Sequence, residues 1–339
     1  MSFATRLADR LPLPDRVLQT AIARRVAATS RGLTKAGPEV EPAFAVAMRN
    51  HPVAEFPQAA NEQHYELPPE FFALALGPLR KYSCCLYPTP QTSLAEAERI
   101  AIEETIAHAQ LTDGQDILEL GCGWGSLSLT MARRFPRARI TAVSNAAPQR
   151  RAIMAEAARF GLTNLTVITA DMNDFAAQAQ YDRVVSVEMF EHMANWEALL
   201  SRVVSWLKPD GRIFLHVFSH RSTPYRFERT DPDDWIAQYF FTGGIMPSHG
   251  LAHRFAAIAE VEAEWRWNGT HYRRTAMDWL ANYDANAKPI EAILRKVYGA
   301  DAAVWRRRWR VFFLATAGLF GAENGEAWGV SHYRLKKAG

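Results

Sequence analysis

Cysteine is scarce in this chain of 339 residues: Cys84, Cys85 and Cys122 are all there is. None stands in a C-x-x-C pair, which argues against a disulfide framework or a cysteine-rich zinc site and fits a reduced, intracellular setting. An excess of either charge is also missing. The 39 Lys and Arg against 36 Asp and Glu leave a formal charge of +3, with no concentrated basic face of the kind a nucleic-acid partner requires, so none is expected. No apolar run approaches the roughly 20 residues of a membrane span. Residues 1–35 carry scattered arginines and short apolar stretches in place of a secretory h-region. The expectation is a cytoplasmic protein whose N-terminal segment forms an amphipathic helix, packed on the body or, as the alternative, in peripheral contact with a membrane. Internal repeats and low-complexity segments are absent too. What is present is ordinary globular composition, 48% hydrophobic and 22% charged, enough apolar material for a large core.

One stretch stands out: Asp116-Ile117-Leu118-Glu119-Leu120-Gly121-Cys122-Gly123-Trp124-Gly125. A short apolar strand enters a turn with glycines at alternating positions, and an amphipathic run over 126–135 predicts a helix after it. Glycine serves where backbone turns sharply or meets a ligand without a Cβ in the way. In a parallel α/β sheet such a turn is where a nucleoside-type cofactor sits; the plain alternative is a tight strand–helix connection with no ligand.

The rest of the chain alternates in the same rhythm. Strand patterns lie at 117–120, 140–143, 165–169, 183–187 and 212–218, with helical patterns clearest at 149–160 and 196–207 between them, which predicts a doubly wound, mostly parallel sheet. Ser93-Leu94-Ala95-Glu96 has capping-box spacing and opens a helix running to Gln110. Lys208-Pro209-Asp210-Gly211 reads as a stop and turn. Residues 38–69 read as a connecting region leading to a short helix at 70–76. Residues 220–254 read as an inserted, aromatic-rich lid. Strands at 260–267 and 328–335 and helices at 275–286 and 302–320 complete the chain. Trp305-Arg306-Arg307-Arg308-Trp309-Arg310 mixes base and aromatic on one helix; a solvated basic face and an anionic lipid contact are the two readings.

The glycine spacing is G-x-G-x-G, not the dinucleotide G-x-G-x-x-G, and the second strand ends at Val143-Ser144-Asn145 with no acid to hold a ribose, which weighs against a nicotinamide cofactor. The spacing resembles motif I of class I S-adenosylmethionine (SAM) methyltransferases, in which an acid such as Asp171 often holds the adenine amino group.

Further segments resemble the cyclopropane-fatty-acid synthase family of SAM enzymes, and within it the coclaurine N-methyltransferase-like branch. They are Asn61-Glu62-Gln63-His64-Tyr65-Glu66, Lys81-Tyr82-Ser83-Cys84-Cys85, the glycine turn, Val187-Glu188-Met189-Phe190-Glu191-His192-Met193, Tyr239-Phe240-Phe241-Thr242-Gly243-Gly244 and Asn268-Gly269-Thr270-His271-Tyr272. Together they extend from residue 61 to the C-terminus. The resemblance implies a Rossmann-like, seven-stranded core with an N-terminal helical cap over 1–92, a SAM-binding core over 93–219, a lid over 220–258 and the remainder of the core over 259–339. It implies SAM contacts at Tyr82, Ser83, Glu119, Gly121, Gly123, Gly125, Ser144, Asn145, Gln149, Asp171 and Met172. In the lipid-modifying members a bicarbonate ion acts as base, and the matching positions are Cys84, Glu191, His216, Phe218 and Tyr272.

At the end of the fourth strand Glu188, Glu191 and His192 form a carboxylate–imidazole group suited to orienting an acceptor N–H or taking its proton. A salt-bridged structural cluster is the bland alternative. Glu188 stands where many lipid cyclopropane synthases of the family have glycine, and an added carboxylate suits an amine better than an alkene. The expected activity is therefore SAM-dependent N-methylation of a small amine, with transfer to the double bond of an unsaturated acyl phospholipid as the alternative. SAM binding without catalysis and a nicotinamide oxidoreductase are weaker rivals. His216 and His220 have no further ligand set, so no metal is expected. The oligomeric state is not legible.

Overall fold

The computed structural model describes residues 13–56, 67–228 and 235–339. The 61–66 motif and the Asp231-Pro232 turn of the lid lie outside the described residues. Strands β1 (Asp116–Leu120), β2 (Arg139–Ser144), β3 (Leu165–Thr169), β4 (Tyr181–Val187), β5 (Leu207–His220), β6 (Tyr225–Arg226), β7 (Ile245–Met246), β8 (Ala259–Asn268) and β9 (Trp328–Lys337) are joined by helices. The helices are α1 (Asp15–Thr34), α2 (Val40–Ala47), α3 (Pro69–Ala75), α4 (Leu94–His108), α5 (Ser126–Arg134), α6 (Ala147–Arg159), α7 (Trp196–Ser205), α8 (Trp235–Tyr239), α9 (Thr270–Ala285), α10 (Ala287–Tyr298) and α11 (Ala302–Phe320).

The main sheet has seven strands in the order β3-β2-β1-β4-β5-β9-β8. The first five pair in parallel, and β9 runs antiparallel to both β5 and β8. Ile117, Leu118 and Leu120 are completely buried, because helices cover both faces of a parallel sheet and leave no solvent side for alternation to mark. The order turns back between β1 and β4. At such a switch point the loops leaving the carboxyl ends of the two strands diverge and leave a crevice for ligand. The glycine turn leaves β1 there, and Glu188 leaves β4.

The alternating sheet, the short helix after Pro68 and both C-terminal strands follow the sequence expectations within a few residues. The capping box is formed: Ser93 Oγ accepts from Glu96 N at 3.3 Å while Glu96 Oε2 accepts from Ser93 N at 2.9 Å. Three expectations change. The 208–211 turn is a bulge inside β5, since the register with β4 jumps from Tyr181↔Leu207 to Arg183↔Arg212. The connecting region after residue 38 contains α2, and the helix expected at 275–286 starts earlier and is followed by α10. Both unexpected helices carry a proline in the first turn, Pro42 and Pro289, where the missing N–H costs nothing.

Aromatic residues tie the cap to the core. Phe71 and Phe72 of α3 pack on Trp309 of α11 with centroids 4.8 and 6.2 Å away, and Phe240 of the lid reaches Trp309 at 5.1 Å. The base-and-aromatic helix α11 thus buries its aromatic stripe. Arg310 pairs with Asp15 and Asp284, Arg306 with Glu291, and the Arg308 guanidinium lies 3.8 Å over the Tyr239 ring. No helix among the described residues is long and apolar enough to cross a membrane.

Because Ile102 and Thr105 of α4 line the cleft and Glu98 holds the Lys81 loop, the start of this helix matters to the site as well as to the fold. Ser93→Ala removes the acceptor for one orphan N–H and is expected to cost about 1 kcal/mol. Urea unfolding should show a lower midpoint with an unchanged slope; an unchanged midpoint would mean that the cap contributes nothing.

Candidate active site

The glycine turn is built by backbone that side-chain-bearing residues rarely adopt: φ is +81° at Gly121, +51° at Gly123 and +83° at Gly125. Each glycine has its own reason. A Cβ on Gly121 would lie 2.6 Å from Met189 Cβ, so this position lets the β1 and β4 loops touch. A Cβ on Gly125 would lie 2.7 Å from Ile153, so this residue permits α5 to pack on α6; it does not border the cleft. Gly123 meets nothing within 4 Å and faces open space.

A cleft lies beside this turn, with about 1230 Å³ of space when the open solvent at its mouth is counted. Of the expected cofactor residues, Tyr82, Ser83, Glu119, Gly121, Gly123, Ser144, Asn145, Gln149, Asp171 and Met172 line it. The structure fits SAM on its own terms. Gln149 Nε2 and Trp124 Nε1 border the cleft and are buried with no protein partner, a costly state unless a ligand accepts from them. Gln149 is aimed by its other end, since Ser144 Oγ donates to Gln149 Oε1 at 2.6 Å. Glu119 sits under the turn and accepts from Ser128 Oγ; burial raises its carboxyl to about 7.

Glu188 dominates the opposite wall. Its φ of +49° is a strained conformation for a residue with a Cβ, and its side chain is 7% exposed. Groups from three separate segments hold the carboxylate: Cys84 N–H donates to Oε1 at 2.9 Å, His216 Nε2 lies 3.1 Å from Oε1, and Tyr272 Oη donates to Oε2 at 2.6 Å. Burial raises the Glu188 carboxyl, while Lys81, the Tyr272 hydroxyl and the Cys84 N–H act the other way. Lys81 is itself buried and donates to Ser83 Oγ and to the Cys84 carbonyl at 2.5 and 2.6 Å.

Glu191 is placed differently. It is fully buried and does not border the cleft. Oε1 accepts from Phe218 N–H at 2.6 Å, and Oε2 has no partner. Burial and the nearby Glu188 charge push its carboxyl well above the ordinary range. Two adjacent buried carboxyls do not both ionise cheaply. Glu188, with the larger donor set, is the one suited to carry the charge. His192 lines the cleft, its ring 4.3 Å from Phe241 of the lid.

The five positions matched to a bicarbonate site converge here, but Glu188 takes the Cys84, His216 and Tyr272 groups and Glu191 takes the Phe218 N–H. His220 does not join His216; its Nδ1 accepts from Thr223 N–H at 3.0 Å. Cys84, Cys85 and Cys122 are free, buried thiols, with burial raising all three. Sequence reasoning missed Glu98, which accepts from Leu79 and Lys81 N–H at 2.8 and 3.0 Å and so holds the Lys81 loop. It also missed Ala54 and Phe56, and it left Met193 and Thr242 of the quoted motifs without a place in the cleft they line. A buried acid on a helix is only visible as an interruption of the apolar face, and apolar wall residues look like any core.

Residues 55–328 match the family described as mycolic acid cyclopropane synthetase. The (S)-coclaurine N-methyltransferase of Thalictrum flavum subsp. glaucum is 35% identical over 295 residues, 86% of this chain and 82% of that protein. The cyclopropane-fatty-acyl-phospholipid synthase of Escherichia coli (strain K12) is 29% identical over 79% of this chain and 66% of that protein. The crystal structure of coclaurine N-methyltransferase bound to N-methylheliamine and SAH superimposes with a TM-score of 0.94 at 32% identity, over 98% of this chain and 99% of that one. The cyclopropane synthase MmaA2 of Mycobacterium tuberculosis shares the fold, with a TM-score of 0.70 at 21% identity over 84% of this chain and 99% of that one.

Burial of Glu119 has a consequence for stability. Its folded-state carboxyl, at about 7, lies above the ordinary value of 4.5, so the folded chain binds the proton more tightly than the unfolded one. The associated stability is present below pH 4.5 and is lost as pH rises through 7. Glu119→Gln keeps an acceptor for Ser128 and carries no charge. Without ligand, the variant is expected to gain on the wild type between pH 5 and 8 by on the order of 3 kcal/mol. Thermal and urea unfolding across that range measure the difference; a constant difference would show that Glu119 does not titrate there.

Proposed function

Because this chain belongs to the mycolic acid cyclopropane synthetase family and is a SAM-dependent methyltransferase, we propose that its acceptor is the nitrogen of a small amine. The supporting observation is the Glu188 carboxylate seated on Cys84 N–H, His216 Nε2 and Tyr272 Oη. The family resemblance assigns those same positions to the bicarbonate base of the lipid-modifying enzymes. Here a covalently attached carboxylate fills that role, and a second anion on the same donors would meet its charge. A fixed negative charge also attracts an ammonium group, whereas an alkene gains nothing from it. The names of the coclaurine, pavine and tetrahydroprotoberberine N-methyltransferases, 30–35% identical to this chain, agree with that chemistry.

The residue roles follow from placement. Tyr82, Ser83, Gly121, Gly123, Ser144, Asn145, Gln149, Asp171 and Met172 hold SAM, which when bound supplies a methyl group on an electron-poor sulfonium. Glu188 draws in the protonated acceptor and takes an N–H proton, since only the neutral amine has a lone pair to attack with. His192, with Phe241 behind it, positions the acceptor from the lid side. The buried Met189 and Met193 give the cleft apolar lining beside Glu188. Glu191, neutral beneath Glu188, supports β5 at Phe218 and confines the negative charge to one carboxylate.

Incubating the protein with methyl-labelled SAM, a panel of secondary and tertiary amines and an unsaturated phospholipid separates the readings. The expected product is an N-methylated amine with no label in the lipid; label in the acyl chain alone would overturn the amine reading. Glu188→Gly suits the positive φ and removes the carboxylate together with its side chain. It is expected to lower amine turnover by roughly 100-fold while calorimetry shows SAM affinity within a factor of about three, since Glu188 contacts the acceptor. Unchanged turnover would remove Glu188 from the mechanism.

A further inference from the structure

The group that holds Glu188 does not end at His216. His216 Nδ1 is 2.8 Å from His332 Nε2, and His332 Nδ1 is 2.9 Å from His108 Nδ1. His108 Nε2 is 3.2 Å from Glu104 Oε2. Both ring nitrogens of each histidine are thus used in one unbranched line from the cleft wall to a carboxylate whose side chain is 42% exposed. His216 and His332 are direct cross-strand partners on β5 and β9, and His332 is opposite Trp265 on β8. The His108 ring, from the last turn of α4, stacks on Trp265 at 3.8 Å and 7°.

A packing role does not explain this line. His216 and His332 are completely buried, where apolar residues would fill the row without the cost of desolvating polar rings. We propose that His216, His332 and His108 form a proton relay that carries the acceptor's proton from Glu188 to Glu104 at the surface. This rests on the amine reading above, because an ammonium acceptor must lose a proton before every methyl transfer.

The transfers balance. In the loaded state Glu188 is protonated, and the rings carry hydrogen on His216 Nδ1, His332 Nδ1 and His108 Nε2, each donating outward. Three hops break the Glu188 O–H, His216 Nδ1–H and His332 Nδ1–H bonds. They form His216 Nε2–H, His332 Nε2–H and His108 Nδ1–H. His108 then holds two protons and passes the one on Nε2 to Glu104 and water. Glu188, now ionised, breaks an N–H bond of the next ammonium, whose electron pair stays on nitrogen as the nucleophile. Reversal of the ring tautomers resets the line. No interior ring has to hold a charge for long. Burial, the Lys81 ammonium and the neighbouring rings all disfavour imidazolium at His216 and His332. At the outer end burial and Arg334 on β9 also lower His108, while Glu104 acts the other way, and the Trp265 face favours the cation. Among the described residues, Glu188 at the inner end is faced by Lys81, Tyr272, Cys84 and Glu191.

The test uses His332→Gln, which can hydrogen-bond but not relay. With an amine substrate, kcat is expected to fall roughly tenfold or more at pH values where the acceptor is an ammonium, with KM little changed. The deficit should shrink as pH rises through the acceptor's own pKa, where no proton remains to be removed. A pH-independent deficit, or none, overturns the relay. If His332→Gln does not fold, His108→Gln at the half-buried outer end carries the same kinetic test. A second readout needs neither substrate nor SAM. In 15N-histidine NMR the tautomers of all three rings should shift together with pH in the wild type, and Glu188→Gln should abolish that shared shift. Independent behaviour of the rings overturns the relay even if amines are methylated. A wild type that methylates no amine sinks the acceptor reading instead, and the NMR experiment still decides the relay.

Discussion

One buried carboxylate organises this protein. Glu188 leaves the end of β4 in a left-handed conformation, and its charge is tolerated only because donors from the Lys81 loop, β5 and α9 arrive at the same point. Removing a carboxylate from water costs several kcal/mol unless such groups replace the lost hydration. The donors come from residues 84, 216 and 272, so the site exists only when the N-terminal cap, the sheet and the C-terminal helices are docked together. That dependence explains why so much aromatic surface is spent on joining them: Phe71, Phe72, Phe240 and Trp309 close the seams between segments far apart in the chain.

The surrounding charges are arranged so that Glu188 stands nearly alone. Burial and the Glu188 charge hold the Glu191 carboxyl well above the ordinary range. Lys81 is tied by Ser83 Oγ and the Cys84 carbonyl, which leaves it to act on Glu188 as a field and not as a direct partner. Glu98 holds the backbone of the Lys81 loop from α4. The result is a cleft whose lining combines the glycine turn and polar strand ends with Glu188, His192 and the apolar Phe56, Met189 and Met193. A fixed anion in a low-dielectric wall selects for a cationic acceptor more strongly than the same group in water. It also creates a proton to dispose of, and the histidine line on β5, β9 and α4 lies where that disposal would begin.

Much of this is legible in the residues alone. Alternating strand and helix patterns, the capping box at Ser93 and the glycine spacing after Leu120 are local signals, and local geometry enforces them. Which residues around the glycine turn would line one cleft is legible for the same reason, because they lie on loops at one end of a regular sheet. The wall around Glu188 is less so. Gly125 looks equivalent to Gly121 and Gly123 in the sequence, yet it serves helix packing. Glu191 looks like a partner of Glu188, yet it faces the interior. The helices α2 and α10 were hidden by prolines that a first turn accommodates, and the 208–211 turn by a strand able to bulge around it.

The sequence by itself determined the fold class and the kind of cofactor, because hydrophobic period and turn chemistry act over a few neighbouring residues. Only the tertiary structure decided which carboxyl carries the charge and what holds it. It also decided that three histidines separated by more than a hundred residues meet in line, since burial and hydrogen-bond partners are properties of segments brought together across the sheet.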